Sequence, residues 1–475
     1  MCSVIGVCSR NGEDVSHDAI ELMSVLRHRG PEAFGVKCRG REVKSRSLNE
    51  LKVPATDVVL GHCLLSTTGY GVQPISAGNV SIAHNGQIYN YEELNASLGF
   101  GQPVSDSEVI ARFFSSRLEK SGAGFLSALK EFSRRTEGEY AVGALLGKKL
   151  FAFRDFLGQK PLWFGSSDSV LAFASEPAAL MKIGIQFPQP LPPGHLLEIS
   201  RFRMKASEAY TLTDFRKTVP KKHSMNALHA AFGHAVSMQC AGLGRAAVLF
   251  SGGVDSSLIA KAVSGLVPKT RLFVAGVDGS HDIESAESAS EELGLPLEKI
   301  LLSEKRVERL ALRSAGMLSF FDVMQVALAV PELACAERIS PQGFKVVFSG
   351  QGSDEIFCGY SSYADLLARS GQKAVGREIW SSLSRMWSRN FHRDDAILAS
   401  QSLELRLPFM SRSFLREAMA FPAGEKMLSK DDRLRKHPVR GLARLCGIPE
   451  SIASRPKKAM QYGSGTQKVV SKLFG

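Results

Sequence analysis

The segment VLFSGGVDSS at residues 248–257 constrains the fold more than any other part of the chain. An apolar run that enters a Gly-Gly turn and continues into a helical pattern predicts a strand, a tight turn and a helix in succession. The first turn of such a helix has unpaired N–H groups and the positive end of the helix dipole, which together bind anions. The segment therefore predicts a phosphate-binding turn at the end of a parallel strand.

The polar residues of this turn narrow its chemistry. The chain has no G-x-x-x-x-G-K-(S/T) motif, so the turn is not the loop that cups the β- and γ-phosphates in kinase-type reactions. A plain Gly turn would explain the two glycines but not Ser251, Asp255 and Ser256 around them. Asp255 would repel a phosphate unless a divalent cation lay between them, which implies Mg²⁺.

The length of 475 residues suggests roughly two to four domains. The pattern of apolar and polar residues changes once along the chain. Up to about residue 205, short apolar runs between glycines alternate with a few helical patterns, which predicts an α+β domain of sheets with flanking helices. Beyond a polar segment, strands run into Gly-rich turns and helices, which predicts an α/β doubly wound parallel sheet with a helical C-terminal part. The predicted boundaries are 1–210, a linker at 211–222, and 223–475.

Composition and charge exclude several protein classes. No run of about 18 apolar residues is present, and the N-terminus lacks a basic region, so we expect neither a membrane span nor a signal peptide. Eight cysteines without C-x-x-C pairs are typical of reduced thiols in a cytoplasmic protein. The net charge of +12 is dispersed, with its densest groups at 433–436 and 455–458, and no nucleic-acid-binding motif accompanies it. We therefore expect small-molecule partners rather than nucleic acid.

Four C-terminal segments resemble those of one enzyme family. The turn at 251–257 resembles the SGG-(L/V)-DSS loop of ATP-pyrophosphatases, which cleave ATP between the α- and β-phosphates. SGQGSDEIFCGY at 349–360 resembles the asparagine synthetase signature SGEGSDE-(L/V)-FGGY, and the segments at 402–410 and 455–465 resemble two further motifs of that family. The resemblance implies an ATP-pyrophosphatase domain.

Site residues of this domain follow from the same resemblance. Asp255 and Asp354 would hold Mg²⁺, and Lys457 would stabilise the charge that develops on the α-phosphate. The residues implied to bind ATP are Leu249, Ser251, Gly252, Gly253, Asp255, Ser256, Val277, Ser349 and Gly350.

The N-terminal region resembles class II glutamine amidotransferases, whose domain is Ntn-hydrolase-like. The resemblance depends on Cys2 and on four segments that occur in the family's order: RHRGPE at 27–32, GVQPI at 71–75, NGQIYNYEEL at 85–94 and SDSEVI at 105–110.

A cysteine that becomes N-terminal once Met1 is removed has its own activating base, because the pKa of its α-amine is near 8. The resemblance implies that Cys2 is the nucleophile of a glutaminase. It also implies that Asn85 and Gly86 form the oxyanion hole and bind glutamine together with Asp106. A type I′ hairpin turn at Asn85–Gly86 is an alternative that does not exclude this role.

Ser3 is a small departure from the family pattern, which usually has Gly there, and five other departures concern the proposed sites. Leu64 replaces the arginine that binds the glutamine carboxylate, and Gln351 replaces a glutamate that acts like a general base. Met324, Gln325 and Ala327 replace two threonines and an arginine that position aspartate. The departure at Leu64 leaves the efficiency of glutamine use open, and the other four leave the acceptor acid open.

The predicted activity is that of a glutamine-dependent asparagine synthetase. Glutamine is hydrolysed at Cys2, aspartate attacks MgATP to give an acyl-adenylate and pyrophosphate, and ammonia displaces AMP. The alternatives are an amide or β-lactam ligase for another carboxylic acid, a tRNA-modifying ATP-pyrophosphatase, and a non-catalytic regulatory homologue. The sequence leaves a homodimer open.

Overall fold

The computed structural model describes the chain except residues 39, 70, 104, 121, 123 and 457–462. It divides into two compact units, Met1–Lys217 and Thr218–Gly475. The division lies in the polar segment predicted as a linker, whose first part is a short helix rather than an irregular connection. A reciprocal capping box between Thr211 and Asp214 begins that helix and explains why so polar a stretch is helical.

The elements of unit 1 alternate irregularly between strands and helices. Its strands are β1 (Ser3–Ser9), β2 (Ala33–Cys38), β3 (Arg41–Ser45), β4 (Val58–Leu64), β5 (Ile75–Ala77), β6 (Val80–Ile88), β7 (Gly138–Leu146), β8 (Lys149–Arg154), β9 (Trp163–Ser166), β10 (Val170–Ala174), β11 (Gln189–Pro190), β12 (His195–Ser200) and β13 (Arg203–Glu208). Its helices are α1 (Ser16–Leu26), α2 (Tyr91–Ser97), α3 (Asp106–Lys120), α4 (Phe125–Arg135), α5 (Pro177–Lys182) and α6 (Leu212–Arg216).

Two antiparallel sheets pack face to face in unit 1. Within the described residues their strand orders are β11-β9-β10-β1-β4-β2-β3 and β13-β12-β8-β7-β6-β5. On β1, Val4 and Cys8 enter the core between the sheets, whereas Ile5 and Val7 enter a core that also contains α1 and α5. A third core joins β6, β7 and β8 to α3 and α4. The unit is therefore a four-layer sandwich whose central strands bury both faces, which explains their continuous apolar runs.

The strands of unit 2 are separated by helices throughout. The strands are β14 (Arg245–Leu249), β15 (Lys269–Gly276), β16 (Leu297–Leu301), β17 (Val346–Phe348) and β18 (Glu404–Arg406). The helices are α7 (Met225–Cys240), α8 (Val254–Ser264), α9 (His281–Leu293), α10 (Glu304–Met317), α11 (Val323–Ile339), α12 (Ser353–Ile356), α13 (Ser361–Ala399, with a break at Gly371), α14 (Arg412–Ala420), α15 (Ala423–Lys426), α16 (His437–Leu445), α17 (Glu450–Ala453) and α18 (Thr466–Phe474).

The sheet of unit 2 is parallel, with the order β16-β15-β14-β17-β18 in the described part of the chain. The order reverses between β14 and β17. The connections that leave these two strands therefore diverge and open a crevice at their carboxyl ends, where doubly wound sheets bind ligands. Both predicted fold classes are confirmed. Among the described helices, none has the length and apolar character that crossing a membrane requires.

Phe173 on β10 fills the space between the two sheets of unit 1. A Cβ atom on Gly6 or on Gly143 would lie 2.2 Å or 2.8 Å from its ring, so the two glycines make room for it. Because the ring is fully buried, we expect Phe173→Ala to lower the free energy of unfolding of unit 1 by about 3–5 kcal/mol. Urea unfolding of the full chain measures the change.

Phe187→Ala is the matched control, because its ring is 81% exposed. Its effect should stay within about 0.5 kcal/mol of zero. Equal effects of the two substitutions would contradict the sandwich packing.

Candidate active sites

The thiol of Cys2 lies against the backbone at the end of β4. Its Sγ atom is 3.4 Å from the N–H of Leu65, which donates to it, and 3.5 Å from the carbonyl oxygen of the same residue. The carbonyl of Cys2 accepts a hydrogen bond from Arg29 Nε at 3.2 Å. Both the thiol and the backbone carbonyl of the predicted nucleophile are therefore held by neighbouring residues.

Arg29 is itself fixed by a partly buried acid. Its side chain is fully buried, and its Nη1 atom is 2.8 Å from Oε1 of Glu176, which also contacts His28 Nε2 at 3.0 Å. Burial alone would raise the pKa of Glu176, but the hydrogen bond from His28 and the charge of Arg29 lower it to about 2. Arg29 of the RHRGPE segment thus holds the backbone of Cys2, and His28 contacts the same acid as Arg29, roles that the sequence did not indicate.

Asn85 and Gly86 lie within β6, where they pair with Ala141 and Tyr140 of β7. The hairpin turn considered for these two residues is therefore wrong. Neither polar atom of the Asn85 side chain, which is 1% exposed, has a hydrogen-bond partner among the described residues. A buried amide without partners costs about 1–3 kcal/mol, so this side chain is suited to receive a polar ligand atom.

Gly86 has a φ of 140°, and a Cβ atom there would lie 2.0 Å from the Glu139 carbonyl oxygen. Only glycine fits this position. The adjacent Gln87 donates to Thr67 Oγ1 at 3.2 Å. Thr67 follows Leu65, the residue that contacts Cys2, by two positions. These contacts bring the Asn85–Gly86 pair and Cys2 to the same end of the sandwich.

Asp106 begins α3 and is tied to β6. Its Oδ2 accepts the N–H of Ile88 at 2.9 Å and lies 3.7 Å from His84 Nδ1. Asp106 thus joins the neighbourhood of Asn85. Leu64, at the position of the family's arginine, is 4% exposed and supplies no charge there.

The Gly-Gly turn of unit 2 follows β14, as predicted. Gly252 has a φ of 70°, and a Cβ atom on it would lie 2.1 Å from the carbonyl oxygen of Ser285 on α9. Arg455 Nη1 donates to the carbonyls of both Gly252 and Ser285, at 3.0 and 2.9 Å. Ser256 Oγ accepts the N–H of Ser251 at 3.3 Å. The turn is therefore compact and presents the first turn of α8.

Two carboxylates on the helices that follow neighbouring strands meet at one lysine. The Nζ atom of Lys436 is 2.7 Å from Asp255 Oδ2 and 2.5 Å from Asp354 Oδ1, and the lysine side chain is fully buried. Asp255 Oδ1 also accepts a hydrogen bond from Ser353 Oγ at 2.6 Å. Gly350 permits this approach, since a Cβ on it would lie 3.0 Å from that of Asp255.

Lys436 is the site residue that the sequence missed. Its only signal was the basic group at 433–436. Arg435 and Lys436 have φ values of 48° and 54°, a left-handed conformation that is strained for these residues. Arg440 holds it by donating to the carbonyls of residues 434 and 435. Asp432 Oδ1 accepts the N–H of Arg435 at 3.0 Å. Although burial raises the pKa of Asp432, its hydrogen bonds lower it to about 2.

The other residues predicted to bind ATP follow the carboxyl ends of the strands. Leu249 ends β14, and Val277 follows β15, its N–H donating to the Ser464 carbonyl at 2.9 Å. Ser349 follows β17, and its Oγ accepts the N–H of Gln351 at 3.3 Å. Lys457 lies outside the described residues.

A cavity of about 310 Å³ lies beside the segment that departs from the family pattern. Its walls come from residues 318–322 before α11, from the start of α11 and from the last third of α13, and its lining includes Gln325, Arg389, His392 and Arg393. The buried Arg393 donates to Gln325 Oε1 at 2.8 Å and pairs with Asp394 at 2.5 Å. α13 thus supplies cations to this cavity, whereas position 327 is a buried alanine.

The carboxylates of Asp255 and Asp354 fit the oxygen preference of Mg²⁺, which commonly takes one or two carboxylates and completes its shell with phosphates and water. In the described part of the chain, no group of three or more His, Cys, Asp or Glu residues is placed to hold a metal ion. A cation held by these two carboxylates would complete its shell with phosphate and water oxygens.

Glu176 gives unit 1 a defined acid sensitivity. Because its pKa of about 2 in the folded chain lies below its ordinary 4.5, its charge stabilises the fold above pH 4.5, and this stabilisation is lost as the pH falls from about 4.5 to about 2. We expect Glu176→Gln to be less stable at pH 7 and to lose less stability over that window. Chemical unfolding at stepped pH measures it, with the more exposed Glu198→Gln as the control. Parallel pH profiles of wild type and Glu176→Gln would contradict the assignment.

Two protein families match this chain, one over its N-terminal part and the other over its C-terminal part. Residues 227–389 and 369–474 match the family described as asparagine synthase, and residues 1–232 match the glutamine amidotransferase domain. The relative named "Putative asparagine synthetase (glutamine-hydrolyzing) 1" from Methanocaldococcus jannaschii is 28% identical to this chain. The match covers 100% of this chain and 95% of the length of that relative.

Two further relatives are similar over nearly the whole chain. Asparagine synthetase B (glutamine-hydrolyzing) of Escherichia coli K12 is 25% identical over 98% of this chain and 83% of its own. Asparagine synthetase (glutamine-hydrolyzing) 2 of Oryza sativa subsp. japonica is 27% identical over 98% of this chain and 78% of the length of that relative. The chain belongs to the asparagine synthase family of ligases and carries the glutamine amidotransferase domain of that family.

Proposed function

We propose that this protein is a glutamine-dependent ligase that converts aspartate to asparagine and cleaves ATP to AMP and pyrophosphate. The observation that carries the proposal is the meeting of Asp255 and Asp354 at the crevice where the strand order of a parallel sheet reverses. A Gly-Gly turn and a helix N-terminus lie beside them, as binding of a metal–nucleotide requires.

In unit 1 we propose that Cys2, freed of Met1, attacks the side-chain amide carbon of glutamine. Its α-amine takes the proton of the thiol, and the N–H of Leu65 favours the thiolate. The oxyanion accepts hydrogen bonds from Asn85 Nδ2 and the N–H of Gly86. Ammonia leaves, and water hydrolyses the thioester to glutamate. The support is that Asn85 is buried with no partner among the described residues.

In unit 2 we propose that Asp255 and Asp354 hold Mg²⁺, which neutralises phosphate charge when it is bound with ATP. The turn at Gly252 and Gly253, with the first N–H groups of α8, binds the departing pyrophosphate. Lys457 is proposed to stabilise the charge that builds on the α-phosphate as the carboxylate of the acceptor attacks it.

The cavity between α11 and α13 is the proposed site of the acceptor acid. Arg389 and His392 face it with the buried Arg393, so it suits a substrate with a second carboxylate, as aspartate has. Arg389 would supply the cation that is absent at Ala327, since Arg393 is paired with Asp394.

A different acid is the second candidate. The rings of Phe320 and Phe321, which also line this cavity, are 58% and 60% exposed. An acid with an apolar group would cover them. Comparing pyrophosphate release with aspartate and with acids of increasing apolar size separates the two candidates.

Removal of the nucleophile should uncouple the two reactions. We expect Cys2→Ala to lose glutamine hydrolysis by at least about 1,000-fold, because the covalent step has no substitute. With ammonia in place of glutamine, it should still release AMP and pyrophosphate at the wild-type rate. Cys446→Ala, which removes a partly exposed thiol in unit 2, is the control. Formation of ADP and phosphate by any variant would contradict the proposed cleavage.

Loss of a cation from the cavity should weaken the acceptor alone. We expect Arg389→Gln to raise the KM for the acceptor roughly 10-fold or more, as the loss of a charge-assisted hydrogen bond would, and to leave the KM for ATP unchanged. Arg385→Gln, one turn earlier on α13 and paired with Glu378, is the matched control. An unchanged KM for the acceptor would remove this cavity from the proposed mechanism.

A further inference from the structure

The ammonium of Lys436 occupies the place that the proposed function gives to a metal ion. It contacts one oxygen of Asp255 and one of Asp354, at 2.7 and 2.5 Å. We propose that Lys436 is a tethered counter-ion that competes with the divalent cation for these two carboxylates, so that the metal binds well only when nucleotide phosphates accept the displaced ammonium. This inference rests on the proposed function, which places Mg²⁺ at the same pair.

Competition follows from the size of the space between the carboxylates. Mg²⁺ requires oxygens at about 2.0–2.1 Å, closer than the ammonium holds them, and two cations between the same two oxygens would repel each other. The carboxylates therefore bind the ammonium or the metal ion, but not both in this arrangement.

The fold makes room for the lysine and aims it. A Cβ atom on Gly359 would lie 1.8 Å from Asp354 Oδ1 and 2.3 Å from Lys436 Cε, so only glycine leaves space for the pair. Lys436 reaches the site from the left-handed residue pair at the start of α16, which Asp432 and Arg440 hold in place. A conformation that is strained for lysine is thus maintained by a buried arginine.

The charges explain why such a counter-ion is useful. Asp255 and Asp354 come from different strand ends and would repel each other across a largely buried space without a cation between them. The lysine keeps them together while the site is free of metal. When a metal–nucleotide enters, its phosphate oxygens provide a new anionic partner for the ammonium, so exchange conserves the number of paired charges.

Binding of Mn²⁺ without nucleotide tests the competition directly. Full-length wild type and variants are titrated with Mn²⁺ and followed by electron paramagnetic resonance. We expect Lys436→Met to bind one Mn²⁺ at least tenfold more tightly than wild type, and Lys436→Arg, which keeps the positive charge, to bind it as weakly as wild type. Lys426→Met is the matched control, because Lys426 is equally buried but lies over the ring of Phe357, 5.5 Å from its centroid.

An affinity of folded Lys436→Met no higher than that of wild type would overturn the proposal, as would an equal gain in Lys426→Met. Lys436→Gln replaces the methionine variant if the latter does not fold by circular dichroism. Asp255→Asn on the Lys436→Met background should abolish the added site.

Adding ATP separates this proposal from the proposed function. If Mn²⁺ with ATP binds wild type through Asp255 while Lys436→Met gains nothing without ATP, only the competition fails. If no variant binds Mn²⁺ with or without ATP, the metal assignment of the proposed function fails as well.

Discussion

The ion-pair bridge from Asp255 through Lys436 to Asp354 is the interaction on which the proposed nucleotide site depends. It joins the connections that leave β14 and β17, the two strands between which the parallel order reverses. Doubly wound sheets open a crevice at this point, and the bridge determines which side chains line it. Its cation is delivered by a strained loop far along the chain, so the site forms only when the helices after β18 have packed.

The site of unit 1 depends on backbone restraint rather than on charge at the nucleophile. Arg29 holds the carbonyl of Cys2 and the N–H of Leu65, just after β4, contacts its thiol, while pairing with β7 keeps Asn85 in an extended strand. The buried amide without a partner among the described residues is costly to the fold unless a ligand uses it. The proposed oxyanion role would therefore oppose stability at Asn85, as is common where a site is prepared in advance for a charge that develops during reaction.

Local patterns in the sequence predicted what local physics determines. The apolar run, Gly-Gly turn and helix at 248–257 form as predicted, because strand, turn and helix start are each set by neighbouring residues. Asn85–Gly86 has the composition of a hairpin turn, but nine-residue pairing of β6 with β7 overrides that preference. Lys436 could not be predicted, because its position depends on Arg440 and on two carboxylates that are distant in sequence. One of them, Asp255, is 181 residues away. Arg29 was part of a predicted motif, but its contacts are tertiary.

The proposed function requires the acceptor carboxylate to attack the α-phosphorus of ATP in the crevice of unit 2. Isotope transfer measures this step most directly. The acid that supports pyrophosphate release is labelled with ¹⁸O in its carboxylate, and the products are analysed by mass spectrometry after turnover with ammonia. Attack at the α-phosphorus predicts one ¹⁸O atom in AMP and none in pyrophosphate. Label in inorganic phosphate or pyrophosphate, or AMP without label, would contradict attack at the α-phosphorus.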